Sequence, residues 1–168
     1  MDDPTRPGIR QASRRDLTLD AEFAELLVGS HRRLVGRAIV DEAAGERPTA
    51  RWLYRDAPFC LLAHDAGTDP RFIYANEAAQ ARFGYGWEEF TRLPSRLSAE
   101  TPHRGERQRL LDAVARDGFI DDYRGLRIAK SGRRFWIEGA VVWELLDERG
   151  TRHGQAAMFH TWRDVEEG

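Results

Sequence analysis

The sequence predicts an α+β fold in which helices lie on one face of a five-stranded antiparallel sheet. Two short apolar segments near the centre of the chain have the character of strands, and a helical middle part follows them. Three more strand-like segments end the chain, separated only by short turns. Such a meander favours antiparallel pairing, because parallel strands need long crossover connections.

The composition limits the class of protein. The chain has 168 residues, enough for one domain with a flanking segment, and its net charge of -2 argues against a dedicated nucleic-acid binder. The lone Cys60 excludes an internal disulfide framework and fits a reducing compartment. No apolar run reaches the roughly 20 residues of a membrane helix, and residues 1–15 lack the apolar centre of a signal peptide. We expect a cytoplasmic protein that contacts no membrane.

The N-terminal part divides into two predicted segments before the main domain, which we place at residues 47–168. Residues 1–17 have few side chains that a core would bury, so we expect a flexible arm. Residues 18–46 contain an amphipathic helix and a polar linker. The helix shows apolar spacing at Leu19, Phe23, Leu26, Leu27, Ser30 and Leu34. This stripe either covers the domain's own core or forms a homodimer interface through residues 19–34.

The domain begins with a short helix and two strands. We predict the helix over Thr49–Arg55, because Pro58 disfavours helical geometry in the residue before it. The dense apolar segment Phe59–Asp65 predicts a central strand. The second strand, Phe72–Ala75, ends at Asn76, which is a strong helix N-cap residue.

The middle of the chain is helical. Asn76 caps an Ala-rich helix that stops at Gly84 and Gly86, and Trp87–Phe90 adds one more turn. Leu93–Glu100 is irregular by composition. A long helix then begins at Thr101 and Pro102, since proline is favoured at the first helical position, and Gly118 is placed to end it.

The last three predicted strands are Phe119–Lys130, Arg134–Leu146 and Gln155–Trp162. Gly125 marks a bulge or a close approach in the first of them. Alternation along Arg134–Leu146 places one apolar set on a single face. That set is Phe135, Ile137, Gly139, Val141, Trp143 and Leu145.

The succession of strand, Asn cap, Ala-rich helix, Gly-Tyr-Gly break and acidic turn over Arg71–Phe90 resembles the early core of a PAS domain. Further phrases resemble the MEKHLA-domain family, a PAS-related group, over roughly Leu26 to Trp162. They are Pro70–Asn76 (PRFIYAN), Leu93–Glu100 (LPSRLSAE), Gly118–Arg127 (GFIDDYRGLR), Ser131–Phe135 (SGRRF) and Gly154–Ala157 (GQAA). The resemblance implies a PAS-like fold and a sensory or ligand-binding role, with ligand and cofactor unknown. Since little follows the last strand, we expect signalling through an unknown protein partner or a homodimer.

Two groups of residues are candidate contacts for a ligand between sheet and helices. One group offers hydroxyl, guanidinium and carboxylate groups to a polar or anionic head group: Ser95, Arg96, Ser98, Glu100 and Arg107. The other would line an apolar cavity with a few polar groups, with Tyr74 and Phe83 facing Trp143: Tyr74, Phe83, Trp87, Tyr123, Arg127, Trp143 and Gln155.

Each group also has a structural interpretation. In the first, Ser98 caps a turn and Glu100 pairs with Arg104 or Arg107. In the second, the aromatic side chains fill the core completely.

The sequence gives weaker support for a haem, flavin, catalytic or metal site. His103 is a surface residue or, as in some haem-binding PAS domains, an axial ligand. Cys60 is expected in the core, because the Asn-Cys-Arg phrase of flavin-binding photosensors is absent. The motifs of serine hydrolases, zinc sites and phosphate loops are absent too, so no catalytic or metal residue is predicted. Three hypotheses remain: a ligand-binding sensory module, an interaction domain with a filled core, and a small enzyme or haem protein. The third expects polar groups to converge in the cavity, with His103 or His64 pointing inward.

Overall fold

A computed structural model describes residues 16–166, apart from the side chains of residues 101–103. The expected flexible arm, residues 1–17, lies almost entirely outside the described residues. The helices are α1 (Ala21–Val35), α2 (Glu77–Phe83), α3 (Trp87–Phe90) and α4 (Thr101–Asp117). Short helical turns occupy Glu42–Ala44, Trp52–Asp56 and Ser95–Ser98. The strands are β1 (Cys60–His64), β2 (Phe72–Ala75), β3 (Phe119–Ile128), β4 (Arg134–Leu146), β5 (Arg152–Phe159) and β6 (Thr161–Asp164).

The strands form one antiparallel sheet in the order β2-β1-β5-β4-β3, and β6 pairs with β4. β5 pairs with the second half of β4 and β6 with the first half, so the two act as one strand interrupted at His160. The predicted α+β fold with an antiparallel sheet is confirmed. The predicted last strand, Gln155–Trp162, is divided between β5 and β6.

Helices cover both faces of the sheet. α2, α3 and α4 lie on one face, as predicted, and α1 packs on the opposite face against β4. The buried side of α1 contributes Phe23, Ala24 and Leu27 to a core cluster that also contains Trp143. The amphipathic stripe therefore covers the domain's own core, the first of its two interpretations.

Strand β4 changes faces halfway along its length. Phe135 and Ile137 pack on the side of α2, whereas Val141, Trp143 and Leu145 pack beneath α1. Between them Gly139 has a φ of 60°, and the register with β3 shifts there by one residue. One extra residue reverses the alternation of every side chain after it. The prediction of a single apolar face along Arg134–Leu146 is therefore wrong.

Asn76 caps α2 as predicted and also joins three segments. Its Oδ1 accepts hydrogen bonds from the backbone N–H groups of Ala79, at 3.0 Å, and Leu61, at 3.1 Å. Its Nδ2 donates to the carbonyls of Leu53, at 3.0 Å, and Phe59, at 2.9 Å. This fully buried amide holds β1 and α2 in place at one end of the sheet.

Candidate functional site

A cavity of about 50 Å³ lies between α4 and the central strands, partly open to solvent. Most of its wall is apolar, including Leu62, Phe72, Phe83, Leu110, Val142 and Phe159. Five polar side chains also line it: His64, Ser98, Arg107, Arg127 and Gln155. One water needs roughly 10–15 Å³ of such space, so the cavity has room for a few waters or a very small organic molecule.

Arg107 projects from α4 and is buried, with only 7% of its surface exposed. Its Nη2 donates a 2.6 Å hydrogen bond to Oγ of Ser95, a fully buried hydroxyl. Among the described side chains, no carboxylate lies within ion-pair distance of this guanidinium. Burial lowers the pKa of Arg107 to about 9, and the nearby charge of Arg127 acts in the same direction.

Arg127 brings a second guanidinium to the cavity from β3. Its Nη1 donates to the carbonyl of Leu126 at 2.8 Å, and its guanidinium carbon lies 5.7 Å from the ring centre of Tyr123. The tyrosine ring folds across Gly125, where a Cβ atom would lie 2.4 Å from the tyrosine Oη. Gly125 is thus the predicted site of close approach, and its missing side chain lets Tyr123 pack beside Arg127.

His64 supplies an acceptor at the end of β1. Its Nδ1 lies 2.8 Å from the carbonyl of Asp65. Because a carbonyl only accepts, Nδ1 carries the proton and Nε2 of the neutral ring is an acceptor. This Nε2 is buried without a partner in the described part of the chain. Burial, together with the charges of Arg107 and Arg152, lowers the pKa of His64 to about 4.

Gln155 lies opposite His64 in the pairing of β5 with β1. Its Nε2 donates to Oε1 of Glu144 at 2.6 Å and to the carbonyl of Leu111 at 3.2 Å. These two acceptors fix the orientation of the amide, and its Oε1 has no partner among residues 16–166. Glu144 itself forms an ion pair with Arg152.

The backbones of β1 and β5 come very close beside these two side chains. Gly154 has a φ of 147°, and a Cβ atom there would lie 1.9 Å from the carbonyl oxygen of His64. Only glycine fits such a position. Gly154 therefore allows the strand contact that places His64 and Gln155 side by side.

Five of the twelve predicted ligand contacts line the cavity: Phe83, Ser98, Arg107, Arg127 and Gln155. Ser95 and Tyr123 adjoin it through Arg107 and Arg127. Ser98 also donates to the carbonyl of Ser95 at 2.8 Å, as the structural interpretation of this loop expected.

Two other predicted contacts form ion pairs outside the cavity lining. Arg96 pairs with Asp69 at 3.1 Å, and Glu100 pairs with Arg134 at 3.5 Å. The alternative pairing of Glu100 with Arg104 or Arg107 is not observed: Arg104 donates instead to the carbonyl of Ala99.

The three remaining predicted contacts lie on the α1 side of the sheet. The ring of Tyr74 packs 5.3 Å from Phe23 and 5.8 Å from Trp87. Trp143 packs 4.8 Å from the ring of His31 and donates from Nε1 to Ser30 at 2.9 Å. Tyr74 and Trp143 share one core cluster, whereas Phe83 belongs to the cluster on the other face of the sheet. The expectation that Phe83 faces Trp143 is wrong, because the bulge in β4 turns Trp143 away from the cavity.

His64 is not among the twelve predicted ligand contacts and was named only, with His103, for the enzyme or haem hypothesis. A histidine at the end of an apolar strand was a usable signal for the ligand site as well. The side chain of His103 lies outside the described residues. Cys60 is buried, does not line the cavity, and has its pKa raised to about 12 by burial.

In the described part of the chain, no group of three His, Cys, Asp or Glu side chains is arranged to hold a metal ion. None of the helices described is long and apolar enough to cross a membrane.

Solved structures with a similar fold include PAS and light-oxygen-voltage domains. A PAS domain from Colwellia psychrerythraea is 16% identical with a TM-score of 0.57, over 74% of this chain and 98% of that one. A light-oxygen-voltage domain of a blue-light-activated histidine kinase from Erythrobacter litoralis is 22% identical with a TM-score of 0.52, over 66% and 99%. Another such domain, studied with a flavin analogue, is 17% identical with a TM-score of 0.51, over 64% and 78%. These similarities establish a PAS-like fold.

No curated protein matches. The model of the MEKHLA domain matches residues 21–164, a stretch that begins with α1 and ends with β6. The chain therefore belongs to the MEKHLA-domain family.

Proposed function

We propose that the protein is a sensory module that binds a small molecule in the cavity between α4 and the sheet. The observation that carries this proposal is that several polar groups of the lining lack an ion-pair or hydrogen-bond partner. Arg107 and Arg127 have no carboxylate partner among the described residues, and two buried acceptors, on His64 and Gln155, have no donor. Buried polar groups of folded proteins are nearly always paired, so such a cluster is typical of a binding site.

Strand β4 connects this cavity to α1. Val142 lines the cavity, and its neighbour Trp143 packs beneath α1 and donates a hydrogen bond to Ser30. A ligand that favours one position of β4 shifts the population of α1 positions. We propose that α1 and the residues before it, including Leu19 with 52% of its surface exposed, transmit the signal through a homodimer or a partner protein in the cytoplasm.

The test is a screen of the purified protein against small metabolites by thermal shift, with native mass spectrometry before and after each addition. The Ala157→Leu variant fills the cavity, and Arg109→Met, on the exposed side of α4, is the control. We expect at least one compound to stabilise the wild type and Arg109→Met but not Ala157→Leu. The proposal fails if no compound binds, or if every compound that binds does so equally in Ala157→Leu.

The second candidate is an interaction domain with a filled core and no ligand. It is favoured by the volume of the cavity, about 50 Å³, which is far below the roughly 300–1,000 Å³ of typical ligand pockets. This candidate predicts that Ala157→Leu stabilises the protein and leaves its partner binding unchanged.

The cavity does not fit a flavin or a haem. Its volume suits a few non-hydrogen atoms, not a multi-ring cofactor. The only cysteine, Cys60, is buried outside the cavity lining, and its raised pKa keeps the thiol protonated at neutral pH. The flavin named for one structural relative therefore has no matching site among these residues.

A further inference from the structure

We propose that the ligand is a small organic anion with a hydroxyl group beside its carboxylate, a short 2-hydroxy acid. This inference rests on the proposed function, since it names the class of molecule that the same cavity would bind. Three properties of the lining lead to it: unpaired positive charge, unpaired acceptors and a small volume.

The positive charge of the lining favours an anionic ligand. Two guanidinium groups, of Arg107 and Arg127, meet the cavity without a carboxylate partner among the described side chains. The nearby carboxylate of Glu144 is already paired with Arg152. A buried charge is costly unless it is paired, and the planar fork of arginine matches a carboxylate. We therefore place the carboxylate of the ligand between α4 and β3.

The opposite side of the cavity favours a ligand that donates a hydrogen bond. Nε2 of His64 and Oε1 of Gln155 both accept, both are buried, and neither has a partner in the described part of the chain. A flip of the Gln155 amide would place its oxygen against the carboxylate of Glu144. Oε1 of Gln155 must therefore point away from Glu144. A ligand hydroxyl donates one hydrogen bond to one of these two acceptors, whereas a simple carboxylate donates none.

The volume limits the ligand to a few atoms. About 50 Å³ is the space of roughly four waters, which suits glycolate or lactate. Leu110, Val142 and Phe159 belong to the apolar part of the wall. These three side chains can contact one methyl group of the ligand. We therefore expect lactate, which has a methyl group, to bind more tightly than glycolate, which has none.

The experiment is isothermal titration calorimetry of the full chain with matched probes. Lactate is compared with propionate, which lacks the hydroxyl, with 1,2-propanediol, which lacks the charge, and with nitrate. We expect saturable binding of lactate, about tenfold weaker binding of propionate and nitrate, and no binding of propanediol. Nitrate binding as tightly as lactate would overturn the inference and indicate an adventitious ion only. Propanediol binding as tightly as lactate would overturn the role of the arginines.

Two variants locate the binding site, and near-UV circular dichroism checks their folding. Arg107→Met should abolish lactate binding, while Arg109→Met retains it. His64→Leu should weaken lactate about tenfold and leave propionate unchanged, a difference that loss of structure alone would not produce. Equal losses for both acids in folded His64→Leu would contradict the inference.

If a metabolite of another class binds in the cavity and lactate does not, this inference fails while the proposed function stands. If nothing binds, both fail.

Discussion

Arg107→Met should stabilise the ligand-free protein. Burial lowers the pKa of Arg107 from 12.5 to about 9, and each pKa unit corresponds to about 1.4 kcal/mol. The charged form, present at neutral pH, therefore costs the ligand-free fold about 5 kcal/mol. Methionine is similar in length and carries no charge, so the substitution removes this cost.

The net gain is smaller because the guanidinium also makes one good contact. Its hydrogen bond to Ser95 is 2.6 Å long, and a bond from a charged donor contributes about 1.5–3 kcal/mol. The difference predicts that Arg107→Met raises the free energy of unfolding by about 2–4 kcal/mol. A residue that lowers stability in the absence of ligand is typical of a binding site.

The assay is urea unfolding at neutral pH, followed by tryptophan fluorescence, in buffer free of organic acids. The matched control is Arg109→Met, on the exposed side of the same helix, which should change the free energy of unfolding by less than about 0.5 kcal/mol. A loss of about 2 kcal/mol or more in Arg107→Met would refute the reasoning, because Arg107 would then be a satisfied structural residue.

Three further predictions concern stability. Asn76→Ala removes four buried hydrogen bonds and should cost about 3–5 kcal/mol in urea unfolding; a loss below 1 kcal/mol would contradict the joining role of Asn76. The pKa of His64 is about 4 in the folded protein, against 6.5 for an unperturbed histidine. As the pH is lowered, the unfolded chain therefore binds a proton before the folded chain does. The free energy of unfolding should drop by about 3 kcal/mol between pH 6.5 and 4. His64→Leu should flatten that part of the stability curve, and an unchanged slope would show that His64 is not the titrating group. Gly154→Ala should cost more than about 3 kcal/mol because its Cβ would meet the His64 carbonyl at 1.9 Å. Gly132→Ala, with φ of 91° and no neighbouring atom within 4 Å, should cost only about 1–2 kcal/mol, and equal losses in the two would mean that the close strand contact is absent.

The sequence was most informative where structure depends on local chemistry. The capping role of Asn76 and the end of α4 at Gly118 follow from the preferences of single residues, and both are confirmed. The close approach at Gly125 was predicted on the same basis and is confirmed as well. The amphipathic stripe of α1 likewise predicted a helix that buries one side.

The sequence was least informative where structure depends on strand register. The bulge at Gly139 is offset by a second irregularity in β3 near Asp122, which has a φ of 56°. Alternation alone cannot reveal such a pair, because each bulge forms only against its partner strand. For this reason Trp143 was assigned to the wrong face. The pairing of His64 with Gln155 likewise joins two distant strands, so its place in the site became visible only in the fold.

The most direct test of the central claim is a nuclear magnetic resonance titration of the labelled protein with lactate. Lactate is expected to produce saturable shifts at the Arg107 and Arg127 Nε–H groups and at the Gln155 side-chain amide. Smaller shifts should follow at the indole N–H of Trp143 beneath α1. Shifts that never saturate, or that avoid these groups while appearing on exposed arginines, would contradict a ligand site between α4 and the sheet.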